Sequence, residues 1–192
     1  MGTRHRLTCC FIIRPGGSGR GIQLGQNYWE SAMKTVLRIV GVIVVCLVVV
    51  LVVLSITGYG PHNRTPGLWL KGKVVASPVT DWSFADNYPT VQLQTRSWYL
   101  LPHSVNIGCE VFNGQLYVST VDRAGTPAYV WNENVMRNRQ IRIKIGDQVY
   151  DGTASLVTDA AEQHAVLEAR TKKYHGLSIP PGSVYWIFRI AS

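Results

Sequence analysis

The stretch "HSVNIGCEVFNGQLYVST", from His103 to Thr120, decides the fold of this 192-residue chain. Asn113-Gly114 is the residue pair of a type I′ turn, in which both central residues need a positive φ. The pair separates two runs of strand-forming residues, 104–112 and 115–120. The stretch therefore predicts a β-hairpin.

Two neighbouring segments also have the two-residue period of half-buried strands. In "VQLQTR", from Val91 to Arg96, apolar or small residues alternate with polar ones. In "QIRIKIGDQVYDGTASLV", three isoleucines occupy one face and Arg142 and Lys144 the other, and Gly146-Asp147 supplies a turn. The second segment predicts another hairpin.

Two helices are predicted in the same part of the chain. The first runs from Pro127 to Arg139, because proline is well suited to the first position of a helix. The second begins at Asp159, which serves as N-cap with Glu162 three residues later, and ends near Tyr174. Its predicted inner stripe consists of Ala160, His164, Leu167 and Thr171. A final strand, "SVYWIFRIA", follows, so the pattern predicts an α+β, mainly antiparallel β-barrel with two helices.

An apolar run of 18 residues without a charge extends from Ile39 to Ile56 and has the length needed to cross a bilayer. We expect an uncleaved transmembrane helix over residues 36–57. Lys34 and Arg38 precede the apolar run, so the positive-inside rule predicts a single-pass protein of the inner or plasma membrane with an extracytoplasmic C-terminal domain. Residues 58–67 are predicted to be a linker and residues 68–192 the domain. For residues 1–32 two interpretations stay open: a disordered leader, or a mis-called extension with Met33 as the true start.

Composition excludes several classes of site. Of four cysteines only Cys109 lies in the domain, and the five histidines are scattered, so neither a disulfide nor a metal site is predicted. No nucleic-acid motif accompanies the net charge of +8, and nucleic acid is not expected as a partner. No Ser/His/Asp order or carboxylate pair indicates hydrolysis. Cys109 is expected to be a small buried residue and His164 a packed one.

From about Val91 to Tyr174 the chain resembles a known group. "FNGQLYVST", "TPAYVWNENVMRNRQIRIKIGD" and "VTDAAEQHAVLEARTKKY" are similar in order to the split β-barrel superfamily. That superfamily includes pyridoxamine 5′-phosphate oxidases and deazaflavin-dependent nitroreductases. The shared pattern is a strand ending in hydroxyl residues, a helix carrying W-x-x-N (Trp131 and Asn134), a basic strand and an acid-capped helix.

The resemblance implies a split β-barrel that binds FMN or a deazaflavin, and an oxidoreductase of the nitroreductase or quinone reductase kind. The cofactor phosphate would lie near the start of the short helix, where hydroxyls, backbone N–H groups and Arg side chains donate to an anion. Trp131 would pack and Asn134 would cap or order the helix end, while Tyr88, Trp98 and Tyr99 are candidates for stacking on the ring. A homodimer is also implied. The predicted cofactor-binding residues are Arg96, Ser119, Thr120, Arg123, Gly125, Arg142 and Lys144.

Two departures from the family pattern keep a second hypothesis open. The loop "TRSWYLLPHSVN" lacks the glycines of the deazaflavin enzymes, and Asp122-Arg123 stands where the oxidases carry an Arg-Lys pair. The alternative is a non-enzymatic barrel that binds a phosphorylated ligand, a haem-like cofactor or a protein partner in the envelope. On this view Arg142 and Lys144 form a solvated strand face. No catalytic side chain is predicted under either hypothesis, since a redox cofactor carries its own chemistry.

Overall fold

The computed structural model describes residues 19–122, 128–175 and 182–192. Three α-helices, eight strands and one short 3₁₀ helix, Ser83–Asn87, are found there. The helices are α1 (Gly19–Thr57), α2 (Val130–Arg137) and α3 (Ala160–Lys173). The strands are β1 (Lys73–Val75), β2 (Val91–Arg96), β3 (Pro102–Ile107), β4 (Cys109–Phe112), β5 (Gln115–Asp122), β6 (Gln140–Ile145), β7 (Gln148–Leu156) and β8 (Val184–Ala191).

The eight strands form one sheet in the order β3-β2-β6-β7-β8-β5-β4, and β1 pairs with β7 beside this path. Only the β1–β7 pair is parallel among the described pairs. The sheet is curved into a half-barrel, so the predicted α+β class with a mainly antiparallel sheet is confirmed.

The two edges of this sheet are consecutive in the chain. β3 pairs with β2 and β4 pairs with β5, and only Gly108 separates β3 from β4. The predicted single strand over residues 104–112 is therefore wrong, because the chain bends at Gly108 and forms both edges. The predicted turn is confirmed: Asn113 and Gly114 have φ values of 51° and 73° and join β4 to β5.

The core lies on the concave face of the sheet. Among its fully buried side chains are Leu93, Leu116, Ile143 and Phe188. Trp131 of α2 is buried as predicted, and its ring lies 5.5 Å from that of Phe188. α2 thus packs its aromatic residue directly into the barrel core.

Helix α3 covers the opposite face of the sheet, over β4, β5 and β8. Its N-cap is confirmed, because the Asp159 carboxylate accepts a hydrogen bond from the Glu162 N–H at 2.8 Å. Of the predicted inner stripe only Leu167 packs against buried residues, and Ala160, His164 and Thr171 are exposed. The inward face also carries Glu162, Val166 and Arg170. Two of these three residues are charged, so hydrophobicity alone gave the wrong rotation of the helix.

The segment after α1, predicted to be a linker, is hydrogen-bonded to the sheet. The Tyr59 N–H donates to the Trp69 carbonyl at 3.0 Å, and Gly67 and Ser104 exchange two backbone hydrogen bonds. The Leu70 N–H donates to Gln94 Oε1 at 2.6 Å, and Leu70 is 2% exposed. Residues 59–70 are therefore joined to β3 through Gly67 and to β2 through Leu70.

Within the described residues, one helix is long and apolar enough to cross a membrane, over Trp29–Thr57, with a mean hydropathy of 3.6. A signal sequence near the N-terminus would have the same length and apolar composition. The helix α1 itself begins at Gly19, inside the segment predicted to be an irregular leader.

Candidate functional site

A pocket of about 430 Å³ opens on the convex face of β2 and β6. Arg96 reaches this pocket from the end of β2 and Arg142 from β6, because both strands place polar side chains on that face. Two of the seven predicted cofactor-binding residues are thus brought together. The other described lining residues are Trp69, Gln94, Thr95, Leu100, Pro102, Gln140, Ile141 and Asp151.

The two arginines of the pocket differ in how far their charges are compensated. The Arg142 guanidinium forms a two-pronged ion pair with Asp151, with Nε–Oδ1 and Nη2–Oδ2 distances of 2.6 and 2.8 Å. Hydrogen bonding within this pair lowers the pKa of Asp151 and raises that of Arg142. Arg96 is exposed, and no described residue pairs with its guanidinium. Arg96 is therefore the cation of this pocket that is available to an anionic ligand.

Lys144 lies on the same face of β6, two residues beyond Arg142. It is opposite Gln92 of β2, whereas Arg142 is opposite Gln94. Two residues of strand correspond to about 7 Å, so Lys144 lies outside the lining of the pocket but next to it. A ligand that extends along the strand would reach it.

Ser119 lies elsewhere, beneath α3 on the other half of the sheet. Its hydroxyl oxygen is 3.0 Å from Glu110 Oε1 and 2.6 Å from Arg170 Nη1, and Arg170 also forms an ion pair with Glu110. Ser119 is 2% exposed and Glu110 is fully buried. The Ser119 hydroxyl is consequently engaged inside a buried network rather than directed at an open pocket.

Burial raises the pKa of Glu110, while the Arg170 cation and the Ser119 hydroxyl act in the opposite direction. Two atoms of the network, Glu110 Oε2 and Arg170 Nε, are buried and have no hydrogen-bond partner within the part of the chain that the structure describes. Sequence reasoning missed this network. Its signal was a glutamate inside the apolar strand "GCEVF", since a buried carboxylate needs a cationic partner.

Thr120 points to the concave face and contacts α2. Its Oγ1 is 3.1 Å from Asn132 Nδ2, and on the far side of α2 the Asn134 Nδ2 donates to Thr95 Oγ1 at 3.2 Å. The two asparagines are about 1% exposed. They fasten α2 to β5 and β2, so Asn134 orders the helix through a strand contact rather than through a cap.

Arg123 and Gly125 lie outside the described residues, so this part of the predicted phosphate corner stays a prediction. The structure thus assigns the described candidates to three places: the convex pocket, the network under α3 and the contact with α2. Of the aromatic stacking candidates, Trp98 and Tyr99 are exposed at the β2–β3 turn, and Tyr88 lies against Gly146. Among the described lining residues the aromatic one is Trp69, which lies at the start of the predicted domain and was not among the predicted site residues.

Cys109 is buried as predicted and is unsuited to nucleophilic chemistry. Burial raises its pKa to about 11, although Lys173 Nζ lies 3.6 Å from the sulfur and favours the thiolate. A nucleophilic cysteine needs a lowered pKa and access to substrate. Among the described residues no group of three His, Cys, Asp or Glu side chains is arranged to hold a metal ion.

No protein-family model and no curated protein matches the chain. Several solved structures are similar. A putative pyridoxamine 5′-phosphate oxidase from Listeria innocua has 17% identity and a TM-score of 0.42, over 56% of this chain and 86% of that one. An F420-H2 dependent reductase has 19% identity and a TM-score of 0.40, over 53% and 93% of the two chains. The haem storage protein HutZ from Vibrio cholerae has 18% identity and a TM-score of 0.43, over 56% and 84%. At these identities the similarity concerns the fold alone.

Proposed function

We propose that the protein is a membrane-anchored oxidoreductase that uses FMN or a deazaflavin. The observation that carries the proposal is the convex pocket, in which Arg96 presents an uncompensated guanidinium beside Arg142. Its volume of about 430 Å³ falls within the range of roughly 300–1,000 Å³ usual for small-molecule sites. A bound flavin-type group would supply the hydride or electron transfer.

The residues of the pocket suit the phosphate end of such a group. A guanidinium binds phosphate through two parallel hydrogen bonds, so Arg96 would hold the phosphate and orient it towards β6. Arg142 would contribute a weaker attraction, because Asp151 already neutralises much of its charge. Trp69 offers an aromatic surface, and Lys144 would be reached by a ligand that extends along β6. The predicted contribution of Arg123 and Gly125 is an additional hypothesis about the same cofactor.

Titration of the purified full chain in detergent micelles with FMN, and separately with the deazaflavin F420, tests the proposal. We expect quenching of flavin fluorescence on binding, and Arg96→Ala should weaken the affinity about 10- to 100-fold, the value of one charge-assisted hydrogen-bonding group. Arg64→Ala removes an exposed arginine that does not line the pocket and should leave the affinity unchanged. Equal affinity of the two variants for FMN or F420 would show that the cofactor phosphate does not bind in this pocket.

A second function is favoured by a specific observation. The hydroxyls of Ser119 and Thr120 and the charge of Arg142 are all engaged within the protein. A non-enzymatic barrel that binds a haem-like cofactor or an envelope protein would not need these groups as phosphate donors, and one that binds a phosphorylated ligand would depend on Arg96. A folded full chain that shows no chromophore between about 350 and 500 nm and no affinity for FMN or F420 would support this alternative.

Membrane anchoring by α1, with the domain outside the cytoplasm, is the part of the proposal that concerns localisation. It rests on the apolar helix and on Lys34 and Arg38, which precede the uncharged run from Ile39 to Ile56. Alkaline phosphatase fused after Ser192 should be active in cells, because that reporter needs an extracytoplasmic position. An active cytoplasmic fluorescent reporter at the same place would reverse the orientation.

Homodimer formation is proposed from the sequence resemblance. Light scattering of the full chain in detergent micelles, with the detergent mass subtracted, should give about twice the mass of 21.3 kDa. A monomeric mass across the accessible concentration range would remove the dimer from the proposal while leaving the pocket untouched.

A further inference from the structure

The turn between β2 and β3 exposes three large apolar side chains in a row. Trp98, Tyr99 and Leu100 are 75%, 50% and 76% exposed. Leu100 has a φ of 67°, in the left-handed region that leucine rarely occupies, and its N–H donates to the Ser97 carbonyl at 3.0 Å. The turn therefore holds these side chains outward although its backbone is strained at Leu100. An exposed apolar cluster of this kind indicates an interaction surface.

Positive charge surrounds this turn. Arg96 precedes it, and Gln140, which lines the same pocket as Arg96 and Leu100, is preceded by the exposed Arg139. Residues 94–103 and 136–142 contain no acidic residue. Among the described residues of the adjoining pocket, Asp151 is the one carboxylate, and Arg142 binds it. The surface around the exposed aromatic residues is thus complementary to an anionic partner.

A short series of contacts connects the β2–β3 turn to the end of the apolar helix α1. α1 ends at Thr57, and Tyr59, two residues later, is already hydrogen-bonded to Trp69. Two residues span at most about 7 Å. Trp69 in turn lines the same pocket as Leu100. If α1 spans a bilayer, as the proposed function holds, this side of the domain is kept close to the lipid headgroups.

We propose that the β2–β3 turn, with Arg96 and Arg139 beside it, is a docking surface for an anionic bilayer. Trp and Tyr side chains favour the interface between headgroups and acyl chains, where one part of the ring is apolar and the other is wet. Leu100 reaches the acyl chains, and the Arg139 guanidinium binds lipid phosphates and serine carboxylates, while Arg96 adds to the positive potential and stays available to the cofactor phosphate. The proposal rests on membrane anchoring and makes a separate claim about how the domain lies on the membrane.

Spin-label accessibility in the full chain, reconstituted in nanodiscs, tests this surface. A label at Leu100→Cys, in a chain whose other cysteines are alanine, should collide more with oxygen and less with an aqueous nickel chelate when phosphatidylserine is mixed into phosphatidylcholine. The matched control is Glu168→Cys on α3, which covers the other half of the sheet and should stay accessible to the nickel chelate in both lipids. A Leu100 label that is as accessible to nickel as the Glu168 label would overturn the proposal.

A third label, at Cys46 alone, separates the two claims. Cys46 lies within the apolar helix, so its label reports whether the helix is in the bilayer. A shielded Cys46 label together with an exposed Leu100 label leaves anchoring intact and rejects docking. An exposed Cys46 label rejects anchoring, and docking as proposed falls with it.

Two further results bear on the identity of the partner. Arg139→Gln should reduce the phosphatidylserine-dependent shielding of the Leu100 label, with the circular dichroism of the domain unchanged. Shielding that persists in detergent without phosphatidylserine, and is accompanied by coupling between labels on two chains, would assign the turn to contact with a second copy. That outcome overturns the lipid proposal.

Discussion

The phenol oxygen of Tyr174 accepts a hydrogen bond from the backbone N–H of Cys109 at 3.0 Å, directly after the bend that separates β3 from β4. The same oxygen donates to the carbonyl of Pro89 at 2.7 Å, and the Cys109 carbonyl lies 3.0 Å away. A Cβ atom on Gly108 would lie 3.0 Å from this oxygen, so the bend is packed closely against it. One side chain at the end of α3 thus fixes the point at which the chain passes from one edge of the sheet to the other.

Tyr174→Phe should destabilise the domain by about 1–3 kcal/mol, because the buried Cys109 N–H loses its side-chain partner. Urea unfolding of the full chain in detergent micelles, followed by tryptophan fluorescence, measures the free energy. Tyr129→Phe is the matched control at an exposed tyrosine and should change the free energy by less than about 0.5 kcal/mol. Equal stability of the two variants would mean that the bend does not depend on the phenol.

Arg170→Met should lower the free energy of unfolding by about 3–5 kcal/mol, since it leaves the fully buried Glu110 without a counter-ion. Lys172→Met, which removes an exposed cation of the same helix, should cost less than about 1 kcal/mol. The double variant Arg170→Met/Glu110→Leu should recover most of the loss. A single variant as stable as the Lys172 control would show that the ion pair is not needed.

The penalty of Arg170→Met should depend on pH. Arg170 lowers the pKa of Glu110, so its removal raises a pKa that burial already holds above the ordinary value of 4.5. A carboxyl group whose pKa is raised in the folded state stabilises the folded form at low pH. This stabilisation is lost as the pH rises through the folded-state pKa. The difference from the wild type should therefore shrink between pH 7 and pH 5, as urea unfolding at each pH would show. If the decrease in the free energy of unfolding caused by Arg170→Met did not change with pH, it would come from lost packing and not from the charge of Glu110.

Glu162→Gln should have a smaller effect, and its penalty should also shrink as the pH falls, but in a lower pH range. The Glu162 carboxylate accepts from Tyr117 Oη at 2.7 Å and pairs with Arg189 through two hydrogen bonds, and the Arg189 contact lowers its pKa below 4.5. The stabilisation, about 1 kcal/mol for a half-exposed pair, is present above pH 4.5 and is lost as the pH falls below it. Glu168→Gln, at an exposed position of the same helix, is the control for the urea measurement.

Cys109 should resist alkylation by iodoacetamide at pH 7 in the folded chain. The side chain is buried, and its pKa of about 11 leaves almost no thiolate. Mass spectrometry of the peptide that contains Cys109 should show modification only after denaturation. Rapid modification in the native state would indicate that the region near Lys173 opens, and would contradict the buried arrangement.

Local signals in the sequence predicted the elements whose geometry a few adjacent residues determine. Asn113-Gly114 specifies its turn because both residues adopt a positive φ, and Asp159 caps α3 because its carboxylate reaches a nearby N–H. The alternation along β2 and β6 placed the inward residues correctly, since the side-chain period of a strand is fixed. These features need no knowledge of distant parts of the chain.

Features that depend on pairs far apart in sequence were missed. Glu110 and Arg170 are 60 residues apart in the sequence, and neither is apolar. A prediction based on a hydrophobic stripe therefore gave α3 the wrong orientation and placed His164, which is exposed, on its inward face. The Arg142–Asp151 pair crosses a hairpin and changes which arginine of the pocket is available. The residues of the site were partly found, but their grouping depends on register and closure of the sheet.

Gly108, the single residue between β3 and β4, couples the registers of these two strands. A slip of one residue along β3 would be passed through Gly108 to β4 and would turn each of its side chains to the other face. Glu110 would then face the apolar interior without Arg170. A shift in the register of edge strand β3 would thus leave the Glu110 charge of edge strand β4 unpaired. This unpaired charge disfavours the misaligned form.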